Sequence, residues 1–343
     1  MKNAGEITSE AVRSPSANLS RRAALTSVLA GGAAASLTQP ALAQRCDAPK
    51  PHTGPAVYLD LDQHEIDEAY DNDLWAFNVK NIDARRKANN AIAQKILGKP
   101  LRLAYGEAEI EKLDVYKAKN PQGPTLIFIH GGSWRNGSSS QFAVYAEPFV
   151  KAGANFVVVD FISVKETKGD LFPMVDQCRR AVAWIYRNAA SFGANADRLF
   201  LCSRSSGSHL SSCILITEWE KQGLPRDIVK GAVLGSGMYD LKPVSMSKRS
   251  GYVSFTDAMV EQLSAIRYVD RIHTPVFLGN GGAETREFLR QSRAFANALR
   301  AAGKPVQQVV AEGYNHYETG ETIGNPYALL GRAAMDMMGL NQL

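Results

Sequence analysis

The feature that most constrains the fold of this chain is a repeated alternation of short apolar runs with longer helical patterns after residue 100. Short runs rich in apolar residues occur at 125–130, 155–161, 198–202, 232–235, 276–278 and 306–311. Segments with helical periodicity lie between most of these runs and after the last one, at 143–152, 173–190, 206–222, 287–302 and 328–338. Short runs that are mostly apolar are typical of strands buried on both faces. The alternation therefore predicts an α/β fold, with a mostly parallel central sheet and helices on both faces.

Two other patterns precede this alternation. Residues 60–97 show a charged helical pattern, and residues 101–105 and 113–116 are typical of strands at a sheet edge. We expect one domain over residues 60–343, a linker or arm over residues 44–59, and cap-like segments at the N-terminal helical stretch and at 240–268. Parallel strands end at one edge of the sheet, and we expect the functional site there.

The first 43 residues are typical of an export signal. Arg21 and Arg22 precede a run rich in Ala, Leu and Gly at 23–37, and Ala41-Leu42-Ala43 fits a small-x-small cleavage site. The run is too short and too weakly apolar to span a membrane stably. Together with Leu25, the arginine pair resembles a twin-arginine signal, although Sec export stays open because Phe is missing before that leucine. We expect a periplasmic or secreted protein with no stable membrane anchor after cleavage.

Composition excludes several partners. The 39 Lys and Arg against 34 Asp and Glu give a net charge of +5 without a long basic block, so we expect no nucleic acid partner. No CxxC pair occurs, which argues against a structural zinc site, and we expect neither metal nor organic cofactor. Export would permit disulfides, but pairing and free thiols both stay open for the four cysteines, Cys46, Cys178, Cys202 and Cys213.

A candidate nucleophile lies between the strand at 198–202 and the helix that follows. A sharp strand-to-helix turn needs small residues two before and two after its nucleophile. Ser205 meets this condition, with Ser203 before it and Gly207 after it. Choosing either neighbouring serine would place Arg204 or Leu201 at a position that must be small. The spacing therefore selects Ser205, although Ser203 stands where such turns usually have Gly.

A second motif lies upstream, at the end of the strand over 125–130. The sequence His130-Gly-Gly-Ser-Trp134 is suited to a loop whose backbone approaches a ligand closely. Attack of a hydroxyl on an acyl carbon makes an oxyanion that backbone N–H groups must stabilise. We expect the donors to be the N–H groups of Gly132, Ser133 and Ser206.

A general base must activate the serine, and histidine suits this role. Among six histidines, His316 follows the strand at 306–311, where a chain order of serine, acid and histidine places the base. The acid should follow the preceding strand, and we select Glu284. Glu287 is the second choice, with Asp240 and Asp257 as further alternatives.

These motifs resemble a known family. HGGSW, the SRSSG turn, SGMYDL at 236–241, EFLRQS at 287–292 and GYNHY at 313–317 are together similar to the arylformamidase (kynurenine formamidase)-like branch of α/β-hydrolases, near the hormone-sensitive-lipase-type carboxylesterases. The resemblance covers roughly residues 60–340. It implies an α/β-hydrolase fold, with Ser205 as nucleophile, His316 as base and Glu284 as acid.

The expected activity is hydrolysis of small or medium acyl or aryl esters through an acyl-enzyme. Hydrolysis of an aryl-formamide or another amide by the same residues is the alternative, and a non-catalytic binding protein on this scaffold is a third hypothesis. The partner would be a small-molecule ester or amide. Candidate pocket residues are aromatic: Trp134, Tyr239, Phe255 and Tyr317. The sequence does not determine the oligomeric state.

Overall fold

The computed structural model describes residues 54–120 and 122–340. The predicted export signal, most of the predicted arm and Cys46 lie outside the described residues. The strands of the sheet are β1 Leu101–Ala104, β2 Lys112–Tyr116, β3 Thr125–Ile129, β4 Asn155–Val159, β5 Leu199–Arg204, β6 Gly231–Gly235, β7 Val276–Gly281 and β8 Val306–Ala311.

Helices connect and precede these strands. They are α1 Gln63–Ala69, α2 Val79–Leu97, α3 Ala143–Lys151, α4 Phe172–Asn188, α5 Ser206–Leu215, α6 Leu241–Ser245, α7 Asp257–Gln262, α8 Arg286–Ala301, α9 His316–Glu321 and α10 Leu329–Met337. Within the described ranges, no helix combines the length and the apolar character needed to cross a membrane.

The strands form one sheet in the order β1-β2-β4-β3-β5-β6-β7-β8. The first two strands pair antiparallel at one edge, β2 also pairs antiparallel with β4, and the six strands from β4 to β8 are parallel. The predicted α/β fold with a mostly parallel sheet is confirmed. The ends of β3, β5, β7 and β8 consequently lie along one edge.

The core lies on both faces of the sheet. Alternating residues of β3 show this, because Ile127 and Ile129 belong to one buried cluster while Leu126 and Phe128 belong to another. All five residues of this strand are buried. Burial on both faces explains why the run is apolar at every position rather than at every second one.

Two elements end earlier than the sequence pattern predicted. The strand predicted over 155–161 ends at Val159, where buried Asp160 instead accepts hydrogen bonds from the N–H and hydroxyl of Ser139. The helix predicted over 206–222 ends at Leu215, and the Cys213 carbonyl near its end accepts a hydrogen bond from the Thr217 hydroxyl at 2.9 Å.

Candidate active site

Ser205 occupies the single-residue turn between β5 and α5. Its backbone has φ 55° and ψ −130°, outside the conformations that side-chain-bearing residues prefer. Its N–H donates to the Gly235 carbonyl at 2.8 Å, which ties the turn to β6. A Cβ atom at Gly207 would lie 2.2 Å from the Ile129 carbonyl oxygen, so α5 packs against β3 too closely for any side chain there. The predicted sharp turn is therefore present at Ser205.

Ser203 occupies the position where the turn was expected to carry Gly. It is fully buried, and its Oγ lies 3.1 Å from the Ser208 Oγ, which in turn donates to the Gly235 carbonyl at 2.8 Å. A hydroxymethyl group is small enough for the turn, and its polar atom has a hydrogen-bond partner. The departure from Gly leaves the geometry of the turn intact.

His316 and Glu284 lie beside the turn and complete a hydrogen-bonded chain. The His316 Nε2 is 2.9 Å from the Ser205 Oγ, and its Nδ1 is 2.8 Å from a Glu284 carboxylate oxygen. All three residues are buried. This arrangement holds the imidazole in the tautomer whose Nε2 is free to accept the serine proton. The three side chains selected from the sequence are thus brought together.

Other groups fix the second carboxylate oxygen of Glu284. It accepts hydrogen bonds from the Ser236 hydroxyl and from the Gly281 N–H, each at 2.6 Å. The Thr319 hydroxyl donates to the same oxygen at 3.3 Å. Because these donors hold one oxygen, the other is left oriented toward the imidazole.

The alternative acids lie elsewhere. Buried Glu287 is paired with Arg290 and accepts a hydrogen bond from the Tyr70 hydroxyl. Asp240 caps α6 by accepting from the Lys242 N–H, and Asp257 is an exposed residue at the start of α7. None of the three contacts His316, and Glu284 does.

His316 begins a short helix that the sequence pattern did not predict. Asn315 caps α9 by accepting from the N–H groups of Tyr317 and Glu318, and the Glu318 carboxylate accepts from the Asn315 N–H in return. This reciprocal capping fixes the backbone on both sides of the histidine. A six-residue helix is too short to show the apolar repeat from which longer helices are predicted.

The surroundings of His316 shift its proton affinity. Burial lowers the pKa of this imidazole below the ordinary histidine value, with its bond and charge interaction with Glu284 acting in the opposite direction. Two nearby cations, Arg204 and Arg249, lower the pKa further. The unprotonated form, which accepts a proton, is therefore favoured at neutral pH.

The loop after β3 passes beside the serine. Gly132 and Ser133 both have positive φ angles, 123° and 55°. Within the residues that the structure describes, the N–H groups of Gly132, Ser133 and Ser206 donate to no protein acceptor. A φ of 123° favours glycine, and free N–H groups beside a nucleophile are the requirement for stabilising an oxyanion.

Trp134 links this loop to α5, the helix that follows Ser205. Its backbone N–H donates to the Ser206 hydroxyl at 3.2 Å, and its indole Nε1 donates to the His209 Nδ1, also at 3.2 Å. The His209 Nε2 lies 3.0 Å from the Leu263 carbonyl, so this imidazole donates there while it accepts from the indole. Burial lowers the pKa of His209 to about 4, which keeps the ring neutral.

A cavity of about 200 Å³ contains the serine and the histidine. Its lining comes from the loop after β3, the turn at Ser205, α9 and the N-terminal segment: Asn72, Asp83, Arg86, Gly131, Gly132, Ser133, Asn136, Gly137, Gln141, Phe142, Arg204, Ser205, His316 and Tyr317. The N-terminal helical stretch therefore borders the site, as a cap would. No residue of 240–268 contributes to this lining.

Of the four aromatic residues predicted to line the pocket, Tyr317 does so and three do not. Trp134 is only 2% exposed and forms the contacts with α5 described above. Tyr239 is fully buried and stacks on Phe295 at 4.3 Å, within the core. Phe255 packs edge-on against Trp134, with 6.5 Å between ring centroids. These three rings take part in apolar packing, and sequence position alone does not distinguish such a ring from one that lines a pocket.

Several residues at the site were missed by the sequence analysis. The Ser236 hydroxyl positions Glu284, His209 holds Trp134, and Arg204 contributes to the cavity wall. A position directly after β6 was the available signal for Ser236, since strand ends meet at the site edge. Of the four cysteines, Cys178, Cys202 and Cys213 are buried free thiols.

Comparison with known proteins identifies one matching family model. The model described as BD-FAE matches residues 113–299, which is more than half of the chain. These residues run from β2 to near the end of α8 and include Ser205 and Glu284.

Individual relatives and structures are also similar. Kynurenine formamidase of Danio rerio is 28% identical over 292 residues, covering 81% of this chain and 97% of that protein. Esterase LipC of Mycobacterium tuberculosis is 28% identical over 225 residues, covering 59% of this chain and 55% of that protein. The crystal structure of a thioesterase candidate from a Silicibacter species superposes with a TM-score of 0.68 at 22% identity, over 78% of this chain and 98% of that one.

Proposed function

The chain belongs to the BD-FAE family, and from this premise we propose that it is a serine carboxylesterase acting on small or medium acyl or aryl esters. The observation that carries the proposal is the continuous chain of hydrogen bonds from Ser205 through His316 to Glu284. A serine hydroxyl is a weak nucleophile until an imidazole at hydrogen-bond distance accepts its proton.

Acylation would use each of these groups. The His316 Nε2 accepts the Ser205 proton as the Oγ forms a bond to the ester carbonyl carbon. The resulting oxyanion is stabilised by the N–H groups of Gly132, Ser133 and Ser206. The imidazolium then donates its proton to the alcohol oxygen as the bond from carbon to oxygen breaks, which leaves an acyl group on the serine.

Deacylation repeats these steps with water. His316 accepts a proton from the attacking water, the same N–H groups stabilise the second oxyanion, and the proton returns to the Ser205 Oγ as the acid product leaves. Glu284 accepts the hydrogen bond from the His316 Nδ1 and stabilises the imidazolium. The similarity to esterase LipC supports ester hydrolysis.

Formamide or aryl-amide hydrolysis is the second candidate. The similarity to kynurenine formamidase, which extends over 97% of that protein, favours it. The residues would be the same, but the proton from His316 would go to the leaving nitrogen. The cavity of about 200 Å³ is below the roughly 300–1,000 Å³ typical of drug-sized ligand pockets and is compatible with a formyl or other short acyl group.

Export through the membrane is part of this proposal. It is supported by the arginine pair at 21–22, the apolar run at 23–37 and the cleavage pattern at 41–43. Expressed in full length in a bacterial host, the protein should accumulate in the periplasm with Gln44 as its first residue. Replacing Arg21 and Arg22 with Lys should block a twin-arginine route, whereas unchanged export would indicate the Sec route.

The test of the activity compares the wild type with Ser205→Ala on p-nitrophenyl esters of increasing chain length and on an N-formyl arylamine. We expect the wild type to hydrolyse esters at neutral pH and the variant to lose about 10³-fold or more in kcat. Ser203→Ala is the matched control, since it removes a neighbouring hydroxyl but not the one facing His316. Activity on the formamide alone would favour the second candidate, and full activity of Ser205→Ala would contradict both.

A further inference from the structure

Arg204 is the residue directly before the candidate nucleophile, and its side chain lines the same cavity as Ser205 and His316. Throughout residues 54–120 and 122–340, no carboxylate forms an ion pair with it, and its Nε is buried without a hydrogen-bond acceptor. Its neighbours are the ring of Tyr317, 5.7 Å from the guanidinium carbon, and the buried hydroxyl of Tyr145. Burial raises the pKa of that hydroxyl, and the charge of Arg204 and a side-chain hydrogen bond with it act in the opposite direction, but a neutral phenol does not neutralise the guanidinium. A partly desolvated guanidinium without a counter-ion is costly unless an anion joins it.

The other charges of the cavity do not supply that anion. Arg86 and Asp83, which both line the wall, pair with each other at 3.0 Å. Arg85, the residue before Arg86 on α2, is paired with Glu321. Since Asp83 and Arg86 neutralise each other, the positive charge of Arg204 is left uncompensated among the lining residues that the structure describes.

Packing restricts the Arg204 side chain before any ligand arrives. A Cβ atom at Gly320 would lie 2.6 Å from the Nε of Arg204, so the guanidinium rests directly on the backbone of α9. The guanidinium also faces the ring of Tyr317, which is held in turn by a hydrogen bond from the Tyr317 hydroxyl to Asp73. A guanidinium fixed in this way loses little side-chain entropy on binding a planar anion.

We propose that Arg204 forms an anion subsite and that the substrate is a small ester that carries a carboxylate. The inference rests on the proposed function and narrows its substrate class. A carboxylate matches the fork of N–H donors of a guanidinium and forms charge-assisted hydrogen bonds with it. Such a group on the acyl or the alcohol part of the ester would occupy the cavity while the ester carbon lies at Ser205.

The experiment uses two matched pairs of esters and the full-length protein. On the acyl side, 4-nitrophenyl hydrogen glutarate is compared with 4-nitrophenyl pentanoate. On the alcohol side, 4-acetoxybenzoate is compared with 4-methylphenyl acetate. For each pair the quantity measured is the ratio of kcat/KM for the charged ester to that for the neutral ester.

In at least one pair, Arg204→Gln should lower this ratio by about tenfold to a hundredfold, the effect expected for losing a hydrogen bond between charged groups. Arg204→Lys should restore part of the ratio, because it keeps the charge without the fork. Arg85→Gln is the matched control, since it removes a cation that is already paired, and it should change the ratio by less than about twofold. Thermal melting and Arg204→Lys keep the test valid if Arg204→Gln folds poorly.

Two results would contradict the proposal that Arg204 forms an anion subsite. One is a wild type that hydrolyses the neutral esters and shows no higher kcat/KM for the charged member of either pair. The other is an Arg204→Gln variant that keeps the wild-type ratio in both pairs. Failure of the proposed function looks different, because no ester of any charge would then be hydrolysed in a manner that depends on Ser205.

Discussion

Two buried histidines lie near the candidate nucleophile, His316 in hydrogen-bond contact with it and His209 one turn after it on α5, and the regions around them differ in chemistry. In the His316 region, at the ends of β7 and β8, the imidazole contacts a carboxylate and a hydroxyl. In the His209 region, formed by α5 and the loop after β3, the imidazole contacts an indole N–H and a backbone carbonyl. Burial lowers the pKa of both rings.

The partners decide what each imidazole can do. A carboxylate stabilises a positive charge that appears on His316 during proton transfer, whereas no carboxylate among the described residues contacts His209 to stabilise one. The neutral His209 ring instead connects Trp134 to the helix that begins after Ser205. We infer that His316 acts in proton transfer and that His209 is a positioning residue for the loop that carries Gly132 and Ser133.

The largest effect should come from His316→Gln. Without the imidazole, Ser205 has no base, and kcat on the best ester should fall by about 10⁴-fold or more. The melting temperature of this variant should stay near that of the wild type, because the glutamine amide can still hydrogen-bond to a neighbouring polar group. Retention of more than a few per cent of kcat would mean that another group accepts the proton.

Glu284→Gln should give the next largest effect. An amide at this position can present its N–H₂ group to the Nδ1 of His316 and favour the wrong tautomer, and loss of the negative charge destabilises the imidazolium. We expect kcat to fall by about 10³- to 10⁴-fold. Glu287→Gln, three positions further along the chain in the first turn of α8, is the control, and it should lower kcat far less. An equal loss in both variants would contradict the assignment of the acid.

His209→Phe should have a moderate effect on the rate. The aromatic shape is kept, but the Trp134 indole N–H loses its acceptor, and such an unsatisfied group costs about 1–3 kcal/mol of folding free energy. The Leu263 carbonyl keeps the Cys213 thiol as a weak donor. A displaced loop should lower kcat by about tenfold and leave KM nearly unchanged, because oxyanion donors act in the transition state. A change in KM alone would argue that His209 affects substrate binding instead.

The pH dependence of the rate should report His316 alone. Its unprotonated form is the active base, so kcat/KM rises as pH increases through its pKa. Because burial lowers that pKa, the midpoint of the acid limb should lie below the ordinary value of about 6.5. Arg204→Gln removes a cation that lowers the pKa, so the midpoint should move to higher pH. A shift to lower pH would contradict the placement of Arg204.

The pH dependence of stability should report His209. In the unfolded chain the imidazole binds a proton below about pH 6.5, whereas in the folded protein it resists protonation down to about 4. The unfolded state therefore binds more protons in this window, and stability falls as pH falls from 6.5 toward 4. Denaturant titrations should show a shallower fall for His209→Phe than for the wild type. Identical slopes would mean that His209 does not resist protonation.

The two regions also differ in how far sequence predicts them. Ser205 is recognisable because the turn restricts its neighbours within two residues on each side, and His316 because the order of strands fixes where a base can lie. Glu284 followed from the same order, though Glu287, Asp240 and Asp257 satisfied it as well. The steric limits of a tight turn and the order of strands can both be inferred from a single amino-acid sequence.

Contacts between distant residues were not predictable in this way. Trp134 and His209 are 75 positions apart, and Ser236 and Glu284 are 48 apart. An isolated aromatic residue near a site motif suggests a pocket wall equally well as a core contact, which is why Trp134, Tyr239 and Phe255 were misplaced. The short α9 was missed because its capping residues carry the signal and its apolar repeat does not.

Covalent labelling tests most directly whether Ser205 is the nucleophile. An alkyl fluorophosphonate should add one equivalent to the wild type, and peptide mass mapping should place the adduct on Ser205. We expect no adduct with Ser205→Ala and much slower labelling with His316→Gln, which lacks the base. An adduct on Ser203 or Ser206, or undiminished labelling of Ser205→Ala, would contradict the assignment of Ser205 as the nucleophile.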